Sequence, residues 1–301
     1  MMLALLLSRI HLSSLLPKDE AAALPWLLAG LLVWLGAIVL ATLRWQRVLT
    51  ALELPADLPP LLSHSFAGMF VANFLPSTIG GDVLRVSRLS AANGQAPASF
   101  ASVVLERLTG FLVLPLITLI ALFTHPDLLH LGNASKAALL LSVGTLVALG
   151  VILVLAGNAR IGRRLAHNQN WLRFVGAVHL GFDRIRRHPG AMAGVLLTAL
   201  AYQLAIVLAA WIATQALGID LGWAPVMAFI PVVAMAQVLP LSVNGLGLRE
   251  GALVLLLAPL GVPTAQAVAL GLLLYGMNLV VSLLGAPAFA VGSRPAIRAT
   301  A

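Results

Sequence analysis

Long apolar blocks separated by short polar connectors set the pattern of this chain. The blocks at 24–43, about 100–124, 137–157, 189–217 and 264–291 each reach the roughly 20 residues that a helix needs to cross a bilayer. None alternates apolar with polar residues as the strands of a transmembrane barrel do. Backbone amides in lipid must be bonded within their own segment, so the blocks predict helices. Two further apolar stretches, 58–81 and 221–257, are broken by Pro, Gly, Asn and charged residues. The pattern predicts an all-α, polytopic membrane bundle forming a single unit over residues 1–301.

Arginine placement assigns sides. Seven arginines crowd the connector 158–188, and others lie in 44–57 and in the tail at Arg294 and Arg298, so these segments are expected in the cytoplasm. The connectors 17–23, 125–135 and 218–223 carry no arginine and are expected outside. Two crossings already separate 44–57 from 158–188, so segment 58–99 must leave and return on the cytoplasmic side. By the same parity, segment 221–260 must leave and return on the outer side. The expectation is two hairpins entering from opposite faces, one in a repeat at about 24–157 and one in a repeat at about 189–291.

The turning regions of these hairpins align without gaps. Leu75-Pro76-Ser77-Thr78-Ile79-Gly80-Gly81-Asp82-Val83-Leu84-Arg85 lies against Leu239-Pro240-Leu241-Ser242-Val243-Asn244-Gly245-Leu246-Gly247-Leu248-Arg249. An apolar composition explains shared leucines, but not Pro, Gly and Arg matching together. Asn73 and Gln237 stand two residues before the shared Leu. Proline ends an incoming helix, and Pro76, Gly80, Gly81, Pro240, Gly245 and Gly247 read as helix-break residues. A break at membrane depth is tolerated where protein or a wet cavity surrounds it, and paired breaks point to a transporter's binding site.

Charge narrows the chemistry. Asp82, Arg85, Glu106, Arg107, Arg249 and Glu250 interrupt apolar surroundings. Ionisable groups at membrane depth pair internally or mark a pathway. With Asn73 and Asn244 they form the candidate substrate-binding set, the arginines offering forked contact to a phosphate. The competing reading has Arg85 paired with Asp82 or Glu106, and Arg249 with Glu250, as packing locks. His64 reads as core-packed or interfacial, Arg44-Trp45 as an interfacial anchor, and Gln203 and Asn278 as helix–helix contacts. Gly110, Gly271 and Gly276 read as close-packing positions.

Composition agrees with the membrane reading and removes other classes. Only 9% of the 301 residues are charged, against about 25% in soluble domains. There is no cysteine, and His125 and His130 lack a ligand set, so no metal or cofactor is expected. The net charge of +8 belongs to inside connectors rather than to nucleic-acid binding. No Ser-His constellation, metal pair or workable carboxylate dyad is present, so no catalytic residue is assigned. The first residues, Met1–Leu16, lack a signal-peptide pattern and are expected as a short interfacial helix or the stump of a span. No soluble domain is expected at either end.

Arg44-Trp45, the block from Asn73 to Asp82 with Arg85, Glu106-Arg107 with Gly110, and Pro240 through Asn244-Gly245-Leu246-Gly247-Leu248-Arg249-Glu250-Gly251 occur in order. Together they resemble the lysylphosphatidylglycerol synthase transmembrane, or flippase-like, family, from about Leu24 to Ala290. The resemblance implies movement of an anionic or aminoacylated phospholipid, or of a polyprenyl-linked lipid, between leaflets of the plasma membrane. It covers a membrane region alone, so no synthase activity is expected. Membrane lipids and a possible homo-oligomer are the implied partners. A small-anion secondary transporter and a lipid-binding accessory protein are the alternative readings.

Overall fold

The computed structural model describes residues 20–74, 79–157, 179, 189–238 and 245–292. Pro76, Pro240 and Asn244, the segment Met1–Leu16, the tail and all of 158–188 except His179 lie outside the described residues. What is described is helical, with no β-strand among the described residues. The helices are α1 Glu20–Ala51, α2 Leu58–Ala72, α3 Ile79–Asn93, α4 Ala96–Thr124, α5 Asn133–Gly157, α6 Pro189–Ala216, α7 Trp223–Ala236, α8 Leu248–Leu257, α9 Thr264–Ser282 and α10 Gly285–Ala290. Five of them, α1, α4, α5, α6 and α9, contain runs long and apolar enough to cross a membrane. The chain is a polytopic helical membrane protein.

Burial ranks these helices. In the most apolar window of α4, 61% of residues are buried, against 17% in α1 and in α5. Helix α4 is therefore the inner pole, and α5 turns Leu140, Val147 and Val154 outward. Helix α1 lies along α6, and α4 is flanked by α7, α5, α3 and α6. Thr118 donates from α4 to the Ala228 carbonyl of α7 at 3.0 Å. At one end Trp26, Trp211 and Trp223 stack edge to face in series, with ring centroids 6.2 Å apart at each step. Such offset aromatic pairs add to simple burial, here joining α1, α6 and α7.

Both interrupted stretches fold as helix pairs. Helices α2 and α3 run antiparallel, since the space a Cβ would need at Gly81 is taken by the Gly68 backbone and Ala72, and at Gly68 by Gly81 and Arg85. Helix α2 begins with Pro59 and Pro60 in its first turn, where proline's missing amide costs nothing. In the gap-free register of the two motifs, Ala72, the last residue of α2, falls on Ala236, the last residue of α7. The outgoing helices differ. Helix α3 already includes Gly80 and Gly81, so neither interrupts it, and Gly81 packs the interface with α2. Gly245 and Gly247 have φ of +79° and +85°, the left-handed region that glycine tolerates. They delay the start of α8 to Leu248.

Two boundaries depart from the hydropathy pattern. Helix α1 continues to Ala51, so Arg44 and Arg47 lie in a helix and not in a connector. The last block is divided after Ser282, and α10 then packs on α2, with Gly285 seated against the Phe66 carbonyl. Arg88 of α3 is buried and donates to the Ala288 and Phe289 carbonyls at 3.0 and 3.1 Å. The last carbonyls of a helix lack intrahelical partners, and Arg88 supplies them. Replacing Arg88 with Gln is expected to cost about 1.5–3 kcal/mol, the range for bonds to charged groups. It should also speed amide exchange across 285–290. Unchanged exchange there would show that Arg88 does not hold α10.

Candidate functional site

The helices that meet around α4 enclose a cavity of about 350 Å³. Its floor is apolar, with Trp34, Ile38, Phe111, Leu114 and Ile206, and its other wall carries Arg44, Asp82, Arg85, Glu106 and Arg107. Helical spacing explains this placement. Trp34, Ile38, Ala41 and Arg44 recur every three or four residues along α1, which puts them on one face. Asp82 and Arg85 are one turn apart on α3, and Glu106, Arg107 and Gly110 lie on α4.

The charged residues form one continuous series. Arg44 pairs with Glu106 Oε1. Arg85 reaches Glu106 Oε2 at 3.2 Å and Asp82 Oδ1 at 3.3 Å. Arg107 Nε donates to Asp82 Oδ2 at 2.6 Å. Three guanidiniums thus share two carboxylates, and all four carboxylate oxygens are engaged. Aromatic faces fix the arginine planes: Arg85 lies 4.1 Å from the Trp45 ring centroid and Arg44 4.9 Å from that of Tyr202. Trp45 is itself held by a 3.0 Å bond from its indole nitrogen to Ser102 Oγ. Cation–π contacts strengthen when desolvated, as both are here.

The expected lock between Arg85 and its acidic neighbours is therefore present, and the set Asp82, Arg85, Glu106 and Arg107 is brought together. Arg44-Trp45 is not an interfacial anchor. Trp45 is fully buried and Arg44 is 5% exposed, because the helix runs past them, turning Arg44 to the cavity and packing Trp45 with Leu61, Leu89 and Val103. Hydropathy ends an apolar block at the first arginine, whichever way its side chain faces. Tyr202 was missed for a related reason: with Gln203 it lies inside an unbroken apolar run, where one polar face leaves little trace. Gly110 leaves room for the Arg44 guanidinium, which a Cβ there would approach to 3.0 Å.

Arg249 and Glu250 form a second cluster. Arg249 Nε donates to Gln237 Oε1 at 3.1 Å, and its NH1 reaches the Gly271 carbonyl at 3.3 Å. Its guanidinium lies 5.6 Å from the Tyr275 ring centroid. Glu250 is wholly buried and accepts the Gly247 amide through Oε2, capping α8. Gly271 is a close-packing position, since a Cβ there would strike Glu250, whereas Gly276 faces open space and is not. Gln237 lines the cavity and so joins this cluster to it.

Asn73 ties α2 to α9. It donates to Ser282 Oγ at 2.8 Å and accepts from Asn278 at 3.1 Å, so Asn278 is the helix–helix contact its position suggests. His64 is wholly buried, as a core-packed residue. Residues 1–285 match the family described as the lysylphosphatidylglycerol synthase TM region. No curated protein matches the chain.

Proposed function

Because the chain belongs to the lysylphosphatidylglycerol synthase TM region family, whose setting is membrane lipid, we propose that it is a lipid translocase that moves an anionic lipid between leaflets. The observation that carries this reading is the cation-rich cavity inside an otherwise apolar bundle. At about 350 Å³ it is at the small end of ligand pockets, a size for a headgroup with its acyl chains left in the bilayer. Arginine forks meet the phosphate, and the apolar wall receives the glycerol end of the chains. Gly245 and Gly247, in the left-handed region just before α8, are the conformationally free positions.

In this reading the two helix pairs enter from opposite faces of the plasma membrane, with 158–188 and the C-terminal tail in the cytoplasm. The chain performs no aminoacyl transfer. Its partners are membrane lipids and a second copy of itself.

Arg85→Gln is expected to slow transfer of a fluorescent anionic lipid across proteoliposome bilayers by about tenfold or more, the worth of one charge-assisted contact. Arg249→Gln, which loses the link through Gln237, should slow it as well. Gel filtration reports whether each variant is folded. Full transfer by both folded variants would remove these arginines from the pathway. Transfer that needs an ion gradient and is competed by a water-soluble anion would favour small-anion transport instead.

A further inference from the structure

The charge series around the cavity is asymmetric in what it leaves unused. Both oxygens of Glu106 and both oxygens of Asp82 already face arginines. On the other side of the ledger, Nε and NH1 of Arg44 and Nε of Arg85 are buried without a hydrogen-bond partner. The Arg44 side chain is 7% exposed and that of Arg85 12%. Buried donors are normally satisfied, so three unspent N–H edges beside one cavity point to an acceptor.

Resting on the translocase reading, we infer that the lipid carried here presents a phosphodiester monoanion and bears no aminoacyl cation. The guanidiniums are stacked on Trp45 and Tyr202, and both arginines line the cavity, with NH1 of Arg44 in the space that Gly110 leaves open. A phosphate diester accepts those donors and adds one negative charge, matching the single surplus guanidinium. An ammonium-bearing headgroup finds no carboxylate free among the described residues lining the cavity. To enter it must displace an arginine from Glu106 or Asp82, leaving a guanidinium buried and unpaired, which is strongly unfavourable. The connecting residues 75–78 and 239–244 contain no acidic residue that could serve it instead. The headgroup selected is thus opposite in net charge to a lysylated one.

The test compares ligands of equal acyl length on the full chain in nanodiscs, by native mass spectrometry. Phosphatidylglycerol is expected to bind at least tenfold more tightly than lysyl-phosphatidylglycerol, and no more weakly than phosphatidic acid. Arg44→Lys keeps the ion pair to Glu106 and the charge count but removes the forked edge. It should weaken phosphatidylglycerol binding about tenfold, leave lysyl-phosphatidylglycerol binding unchanged and preserve the melting temperature. Equal or tighter binding of the lysyl lipid overturns the inference, as does an equal loss for both lipids in Arg44→Lys. Glycerophosphoglycerol, the diester without acyl chains, should bind far more weakly; affinity equal to the lipid's would identify a soluble ligand and overturn it too. Phosphatidylglycerol bound selectively but never transferred would end the translocase reading while leaving the headgroup assignment in place. Preferred transfer of the lysyl lipid would do the reverse.

Discussion

Glu106→Gln is expected to destabilise the protein by about 3–5 kcal/mol, the cost of breaking a buried ion pair from one side. Glu106 is 3% exposed and faces Arg44 through one oxygen and Arg85 through the other. Glutamine fits the same space but brings no charge, so three guanidiniums would be left with Asp82 alone. Lipid offers no water to screen them. Differential scanning fluorimetry in detergent should show a large fall in melting temperature. The double variant Arg44→Gln/Glu106→Gln should recover much of the loss, because it removes a cation together with its partner. That recovery separates a charge-balance role from simple packing, where the second substitution would add further damage. A single variant within about 1 kcal/mol of the parent, the range of ordinary surface pairs, would show that the series is solvated.

The same residues explain how far the sequence could be read. The five long blocks and the two interrupted stretches reappear as helices because membrane burial demands unbroken apolar runs, a signal that needs no tertiary contact. The shared end of α2 and α7 was visible for the same reason: a proline follows each within a few residues, and proline acts locally. What could not be read was direction. Arg44 follows an apolar block just as Arg47 does, yet Arg44 is buried against Glu106 while Arg47 is exposed. Only the packing of α1 against α4 and α6 distinguishes them. Matched motif positions were likewise not matched environments. Arg85 lies well inside α3, whereas Arg249 is the second residue of α8, because glycines continue the helix at 80 and 81 but bend the backbone at 245 and 247. Identity at a position does not transmit backbone conformation, and so Arg85 joined the charge series while Arg249 bonded to Gln237 and Gly271.

Gly81→Ala should be a strongly damaging small substitution, and Gly276→Ala the contrasting harmless one. The Cβ added at Gly81 would overlap the Gly68 carbonyl, which is backbone and cannot rotate away. Helices α2 and α3 must then separate, at a cost of about 1–3 kcal/mol for overpacking. Small residues are what allow such close approach between membrane helices. The damage extends to function, since α3 carries Asp82 and Arg85 and any shift lengthens their contacts with Arg107 and Glu106. Under the proposed translocase function, lipid transfer should therefore fall further than stability alone explains. At Gly276, within α9, an added Cβ meets nothing within 4 Å, so alanine should be neutral or stabilise by up to about 1 kcal/mol through helix propensity. Parallel melting and transfer measurements on the two variants decide the matter. If Gly81→Ala melts with the parent and transfers at the parental rate, the close contact between α2 and α3 does not set the position of the cavity arginines.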